Sequence, residues 1–314
     1  YYSHTMAEAI TTSGQLSIRW IEKKINQYMN NLLKTKDKDY VIASDTDSVY
    51  ITFDALINKL KPNKPVDFLD KIAKEKIEPF IDKSYQELAE YLNAYEQKMQ
   101  MKREVIADKG IWTAKKRYIL NAHDIEGVRY KEPTLKIMGI EAVKSSTPAP
   151  CRKKIKEALK IMMSGNEKEL NTFIQNFRDE FLTLQPEEIA YPRSVNGLTK
   201  WSETHTLFKK GAPIHVKGGI LYNHLVKKNK LNRYYPLIQE GDKIKFLYLK
   251  LPNIYQSSAI SFITTLPKQL NFKVDYELQF EKSFIEPLNF IIEKIGWFVD
   301  RTYGTQGTLE DFFA

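Results

Sequence analysis

The stretch that most constrains this chain runs from Tyr40 to Phe53: Tyr-Val-Ile-Ala-Ser-Asp-Thr-Asp-Ser-Val-Tyr-Ile-Thr-Phe. Asp45 and Asp47 sit between two runs rich in β-branched and aromatic residues. That pattern predicts a strand, a tight turn and a returning strand, with the carboxylates at the tip. Crowded carboxylates repel each other unless a cation neutralises them. Hard oxygen ligands on a rigid element suit Mg²⁺, which takes one or two protein carboxylates plus substrate phosphates. Nucleotidyl transfer uses such ions in pairs, about 3.5–4 Å apart, to clamp the attacking and leaving oxygens. An ordinary polar turn is the other reading, because Asp and Ser side chains cap turns.

The chain has 314 residues, enough for two modest domains. No apolar run approaches the roughly 18–20 residues of a membrane span, and no signal peptide is visible, so no membrane partner is expected. Cys151 is the only cysteine, which excludes internal disulfides and a cysteine zinc site and fits a cytoplasmic setting. The formal charge of +9 favours a polyanionic partner. Basic residues cluster at Lys115-Lys116-Arg117, at Arg152-Lys153-Lys154 with Lys156, at Lys209-Lys210, and at Lys227-Lys228 with Lys230 and Arg233. Each alone reads as a solvated face; together, interleaved with Tyr118, Tyr130, Tyr222 and Tyr234-Tyr235, they read as a nucleic-acid track. Tyr1-Tyr2 is not an initiation site, so further residues upstream are expected.

The expected fold class is α+β. Apolar residues at Ile18, Ile21, Ile25, Tyr28 and Leu32 predict a helix over about 11–33, and a second helical stretch is expected over about 66–91, interrupted at Pro79. Strand-like composition follows over 99–107, 112–121 and 128–140, with Asp124-Ile125-Glu126-Gly127 as a turn. Beyond Ser145-Ser146-Thr147-Pro148-Ala149-Pro150 the chain reads as mostly helical, over about 151–163, 167–184, 214–226 and 281–295, with one short β segment over 243–251. A domain boundary is placed near residues 140–150.

Several motifs in order resemble family B DNA polymerases. Asp45-Thr46-Asp47-Ser48 on its hairpin resembles that family's motif C. Lys115-Lys116-Arg117-Tyr118 resembles its Lys-Lys-Arg-Tyr motif, with Lys102-Arg103-Glu104 also matching. The run Leu135-Lys136-Ile137-Met138-Gly139-Ile140-Glu141, with Lys144-Ser145-Ser146-Thr147-Pro148, is similar to the palm-to-thumb junction of T-even-like bacteriophage replicative polymerases. Ala9-Ile10-Thr11-Thr12 with Gly14-Gln15 resembles the segment just after motif B.

The resemblance implies an antiparallel palm sheet backed by helices over residues 1–145, a mostly helical thumb over 146–300, and an exposed tail over 301–314. It implies Asp47 as the metal ligand, Asp45 as a supporting carboxylate, and Glu104 as an acid near the same site; the other reading of Glu104 is a charged residue paired with Lys102 or Arg103. On one strand, Lys116 and Tyr118 would share a face and Lys115 and Arg117 the other. Contacts there with the minor groove test pairing geometry without reading sequence, because its acceptors are nearly the same for every base pair. An edge strand made soluble by lysines is the alternative. Lys144, Ser145, Ser146 and Thr147 would hold phosphates of primer-template DNA, extended by Lys209, Lys210 and Lys217. In the tail, Gln306, Leu309, Phe312 and Phe313 have the spacing of sliding-clamp-binding peptides, an apolar plug on one helical turn.

Motif A and the basic residues of motif B are not found among these residues. The expectation is therefore a chain inactive by itself, completed by an N-terminal polymerase chain that supplies the rest of a two-metal Mg²⁺ site and holds the deoxynucleoside triphosphates. A phage-encoded chain would act in the cytoplasm of the infected bacterial cell. The competing reading is a non-catalytic DNA-binding and clamp-tethering subunit. A reverse transcriptase is disfavoured, since its hairpin carries adjacent acids, Tyr-x-Asp-Asp.

Overall fold

The structure, a computed structural model, describes residues 3–300. The chain divides into two compact units. One holds residues 1–110 and 120–136; the other holds 111–119 and 137–314.

The first unit is organised by α1 (His4–Leu33), where Ile21, Ile25 and Met29 are fully buried. Residues four apart stack on one helix face, so these three form the seam, while Leu32 turns outward. The helix begins seven residues before the expected start because the Ser3 hydroxyl accepts from the backbone N–H of Met6 at 3.3 Å, capping a first turn whose apolar side chain, Met6, is exposed and outside the buried seam. The seam packs with Tyr40, Val41, Ile81, Tyr85 and Leu88. The expected hairpin is present as β1 (Val41–Ser44) and β2 (Val49–Ile51), paired antiparallel with an irregularity at Ile42. Helices α2 (Asp54–Leu60), α3 (Pro65–Ile72) and α4 (Glu78–Tyr91) follow. The expected break at Pro79 takes the form of a π turn over Ala73–Ile77. Proline has no N–H for the helical ladder, and the wider turn before it absorbs the missing bond.

The segment 99–104, expected to open a strand, precedes β3 (Val105–Ala114). β3, β4 (Arg117–Ile125) and β5 (Val128–Met138) form a three-stranded sheet in that order. Residues 1–145, for which one sheet is expected, thus hold two small sheets among the described residues. Asp124, expected only as a turn residue, is buried and is the hub of an ion network. It accepts from Nη1 of Arg103, from Nε of Arg129 at 3.1 Å and from the Gly127 N–H at 3.0 Å. Arg103 also reaches Asp70 at 2.7 Å, and Arg129 reaches Asp67 at 2.6 Å.

In the second unit, α5 (Ala149–Ser164) starts directly after Pro148, as expected of a proline that opens a helix. α6 (Glu167–Thr183) contributes Phe177 and Phe181 to a core shared with Phe280 and Phe284. The single β segment expected here is instead the middle strand of an antiparallel sheet: Lys243–Tyr248 lies between β6 (Tyr191–Ser194) and Ala259–Phe262. β6, which the sequence does not predict, carries Pro192, a residue disfavoured inside a sheet but tolerated on an edge strand such as this one. The helix Ile214–Lys228 covers this sheet, packing on Ala259–Phe262. A second π turn, Glu281–Ile285, again precedes a Glu-Pro pair, Glu286-Pro287. Among the described residues no helix is long and apolar enough to cross a membrane.

Candidate functional site

Asp45 and Asp47 stand on the turn between β1 and β2. The turn is closed by the Asp45 N–H donating to the Ser48 carbonyl at 2.9 Å. Its base is fixed to α1 by Asn26, whose Oδ1 accepts from the N–H groups of Tyr40 and Val41 at 2.8 and 3.0 Å. One Asp45 oxygen accepts from both the N–H (2.8 Å) and the hydroxyl (3.2 Å) of Thr46. Asp47 is exposed and has no hydrogen bond or ion pair among the described residues. A free carboxylate beside a half-committed one fits a Mg²⁺ ion that takes its other ligands from substrate phosphates and water. Among the described residues, no three His, Cys, Asp or Glu side chains come together in a group that could hold a metal. Glu104 therefore does not join the two aspartates in such a group. It lies just before β3 and pairs with Lys136, rather than with Lys102 or Arg103.

The basic residues form a different arrangement in the second unit. Lys115 and Lys116 are not on a strand: they make the two-residue turn between β3 and β4. The strand alternation expected to run through them fails there, since Lys116 adopts a left-handed conformation with φ of 59°. Both lysines are exposed and have no ion-pair partner among the described residues. Arg117 and Tyr118 begin β4 and do point to opposite faces. Tyr118 is buried, whereas Arg117 is half-buried, 5.1 Å from the Phe290 ring.

Glu141 ties this turn to the Lys-Ser-Ser-Thr loop. Both its oxygens accept from Nη2 of Arg117, at 2.8 and 2.7 Å, and one also accepts from Nζ of Lys144 at 2.9 Å. Burial alone would raise the Glu141 pKa; the hydrogen bond from Lys144, its backbone contact and the Arg117 charge outweigh that and hold it below the ordinary carboxylate range. Between them lies Gly139, with φ of 68°, so close to the turn that a Cβ would stand 2.4 Å from the Lys116 carbonyl oxygen. Lys144 and Ser145 are exposed, Ser146 is half-buried and Thr147 is buried, with its N–H donating to the Lys144 carbonyl at 3.2 Å. Lys209 and Lys210 are exposed, and Lys217 lies 5.7 Å from the Phe208 ring. Sequence reasoning gave Glu141 no role; its signal was an acid three residues before Lys144, inside an otherwise basic neighbourhood. Gln306, Leu309, Phe312 and Phe313 lie outside the described residues.

No family model matches the chain. A DNA-directed DNA polymerase of Escherichia phage RB69 is 39% identical over 308 residues, covering 92% of this chain and 34% of the phage protein. A DNA-directed DNA polymerase of Enterobacteria phage T4 is 35% identical over 316 residues, covering 94% of this chain and 35% of the phage protein. The chain is thus homologous to phage DNA-directed DNA polymerases. More particularly, it is homologous to one segment of the T4-like polymerases of family B, and it spans about a third of the length of these curated relatives.

Proposed function

We propose that this chain is the C-terminal part of a replicative DNA-directed DNA polymerase, with residues 1–145 from the palm, 146–300 as the thumb and 301–314 as a clamp-binding tail. One observation carries the reading: in a stretch homologous to such polymerases over nearly its whole length, Asp45 and Asp47 stand at the tip of a hairpin, and Asp47 has no side-chain partner among the described residues. In this reading Asp47 holds Mg²⁺, Asp45 tunes the field beside it, and Glu104, paired with Lys136, is an acid near the same site. When bound, the ion supplies charge neutralisation for the phosphates of the incoming deoxynucleoside triphosphate.

Lys115 and Lys116, without ion-pair partners among the described residues, meet the primer-template duplex. Arg117 and Tyr118 anchor their turn, and Lys144, Ser145, Ser146 and Thr147 hold strand phosphates. Gln306, Leu309, Phe312 and Phe313 tether the assembly to a sliding clamp. Motif A and motif B come from elsewhere, in the same longer polypeptide or in a partner chain. The second reading, a non-catalytic DNA-binding and clamp-tethering subunit, draws on the absence of a third acid beside the hairpin among the described residues.

Primer extension with Mg²⁺ separates the two, run with this chain alone and with a chain supplying motifs A and B. Synthesis in the mixture that disappears with Asp47→Ala is the expected result. A mixture that assembles on DNA and extends equally with Asp47→Ala refutes the catalytic role.

A further inference from the structure

The second unit contains a cavity of about 430 Å³. Part of its lining is one face of the sheet formed by β6, Lys243–Tyr248 and Ala259–Phe262. Tyr191 of β6 sits opposite Phe246 in register, and their rings stack at 5.0 Å with 17° between planes. Arg193, two residues along β6, shares that face. Its guanidinium lies 5.4 Å from the Tyr191 ring and 6.0 Å from that of Phe246. One nitrogen, Nη1, donates to the carbonyls of Ser146 at 2.8 Å and Pro192 at 3.0 Å. A guanidinium carries five N–H groups in a fixed fork. Among the described residues, no carboxylate lies within ion-pair distance of Arg193.

The other cations lining the cavity are matched. Lys144 pairs with Glu141, and Lys282 pairs with Glu286. His215 also lines it, and burial together with the Arg193 charge pushes its pKa down, so it adds no charge at neutral pH. The excess positive charge of the cavity is therefore Arg193. It is held by two stacked rings and two carbonyls, with its Nη2 edge uncommitted.

We propose that this cavity binds a phosphate group, with Arg193 as its principal ligand. The phosphate is either an internucleotide group of bound DNA or a free anion such as inorganic pyrophosphate. The assignment rests on the reading that Lys144–Thr147 belong to the DNA grip, since Arg193 holds the Ser146 carbonyl of that loop. A planar fork matches phosphate oxygens two at a time, which a lysine cannot do.

The test uses the full chain in two arms. In the first, DNA affinity is measured by fluorescence anisotropy over a salt series. Arg193→Gln keeps a donor for the Ser146 carbonyl but removes the charge, and should lower the slope of log K against log salt by about 0.9, while Arg193→Lys retains it. In the second, pyrophosphate should raise the melting temperature of the unmodified chain but not of Arg193→Gln. It should also protect Arg193 from phenylglyoxal, read by mass spectrometry on the unmodified chain, so the assignment does not depend on a variant that folds. A change in the DNA arm alone identifies the strand as the source of phosphate, and a change in the pyrophosphate arm alone identifies a free anion. Arg193-dependent pyrophosphate binding by a chain that does not bind DNA keeps the cavity assignment and removes the DNA grip. An unchanged slope with neither stabilisation nor protection overturns the proposal and leaves Arg193 as a strut for the loop.

Discussion

Replacing Gly139 by alanine tests how firmly the Lys115-Lys116 turn is seated. Gly139 has φ of 68°, and its Cβ would stand 2.4 Å from the Lys116 carbonyl oxygen and 3.0 Å from Cγ of Arg117. The left-handed conformation costs a residue with a Cβ about 1–2 kcal/mol. The contact adds to that, because the methyl group and a backbone oxygen must move from 2.4 Å to at least 3.0 Å, and the oxygen belongs to a turn whose Arg117 is pinned by Glu141. Backbone displacements of this kind bring the total to about 2–4 kcal/mol. Gly241→Ala supplies the control: Gly241 has φ of 85° in the same unit, with nothing within 4 Å of its Cβ position, so only the conformational cost applies. In urea unfolding, with a slope of about 1–3 kcal/mol per molar, Gly139→Ala should lower the midpoint by roughly 1 M or more and Gly241→Ala by about half as much or less. Equal shifts for the two variants would refute the argument, because the close approach would then contribute nothing.

Asp124→Ala removes the buried carboxylate shared by Arg103 and Arg129, leaving each with one outer partner, Asp70 and Asp67, and should cost about 1.5–3 kcal/mol, measured by denaturant titration. Burial would raise the Asp124 pKa, but Arg103, the Gly127 N–H and Arg129 outweigh it and lower it. Its contribution is therefore present above about pH 4, the ordinary aspartate value, and is lost as pH falls through the lower folded value; Asp124→Ala should flatten that acid limb. Cys151 is buried and its thiol is pushed up to about 12, so native chain at pH 8 should resist iodoacetamide, with alkylation appearing only in denaturant by mass spectrometry. Asp47→Ala should leave the unfolding free energy from urea titration within about 0.5 kcal/mol of the unmodified chain, because an exposed carboxylate with no partner among the described residues contributes little to stability.

Periodic patterns were legible where one face alone was buried. The α1 seam, the acidic hairpin and α5 after Pro148 all followed from local rules. Elements that local rules disfavour were not legible. Lys115-Lys116 contains no Gly, Asn or Asp, so nothing in the sequence marks it as a hairpin turn, and the left-handed Lys116 is held by its surroundings. β6 contains Pro192, and its place in a sheet is set by a distant partner strand, with Phe246 opposite Tyr191. The candidate residues fall in two separate motifs, Lys-Lys-Arg-Tyr and Lys-Ser-Ser-Thr-Pro. Their connection through Glu141 is a tertiary contact over 24 residues, which spacing alone does not reveal.

That connection also decides which cations are available to a polyanion. A lysine already facing a carboxylate exchanges one anionic partner for another when a phosphate arrives, and the stranded carboxylate opposes the exchange. A partnerless lysine gains a partner outright and displaces condensed counterions from the nucleic acid. Lys144 is of the first kind, bonded to Glu141 at 2.9 Å; Lys115 and Lys116 are of the second. The formal charge of +9 therefore overstates, for Lys144, and correctly represents, for the turn, what each can contribute to binding. In a salt series with duplex DNA, Lys115→Gln with Lys116→Gln should lower the slope by about 1.8, two full contacts. Lys144→Gln should lower it by clearly less than 0.9, because the cation removed already faces the Glu141 carboxylate. A Lys144→Gln slope change as large as that of Lys116→Gln alone would show that the Glu141 pair opens freely on DNA, and the distinction between tied and free cations would fall.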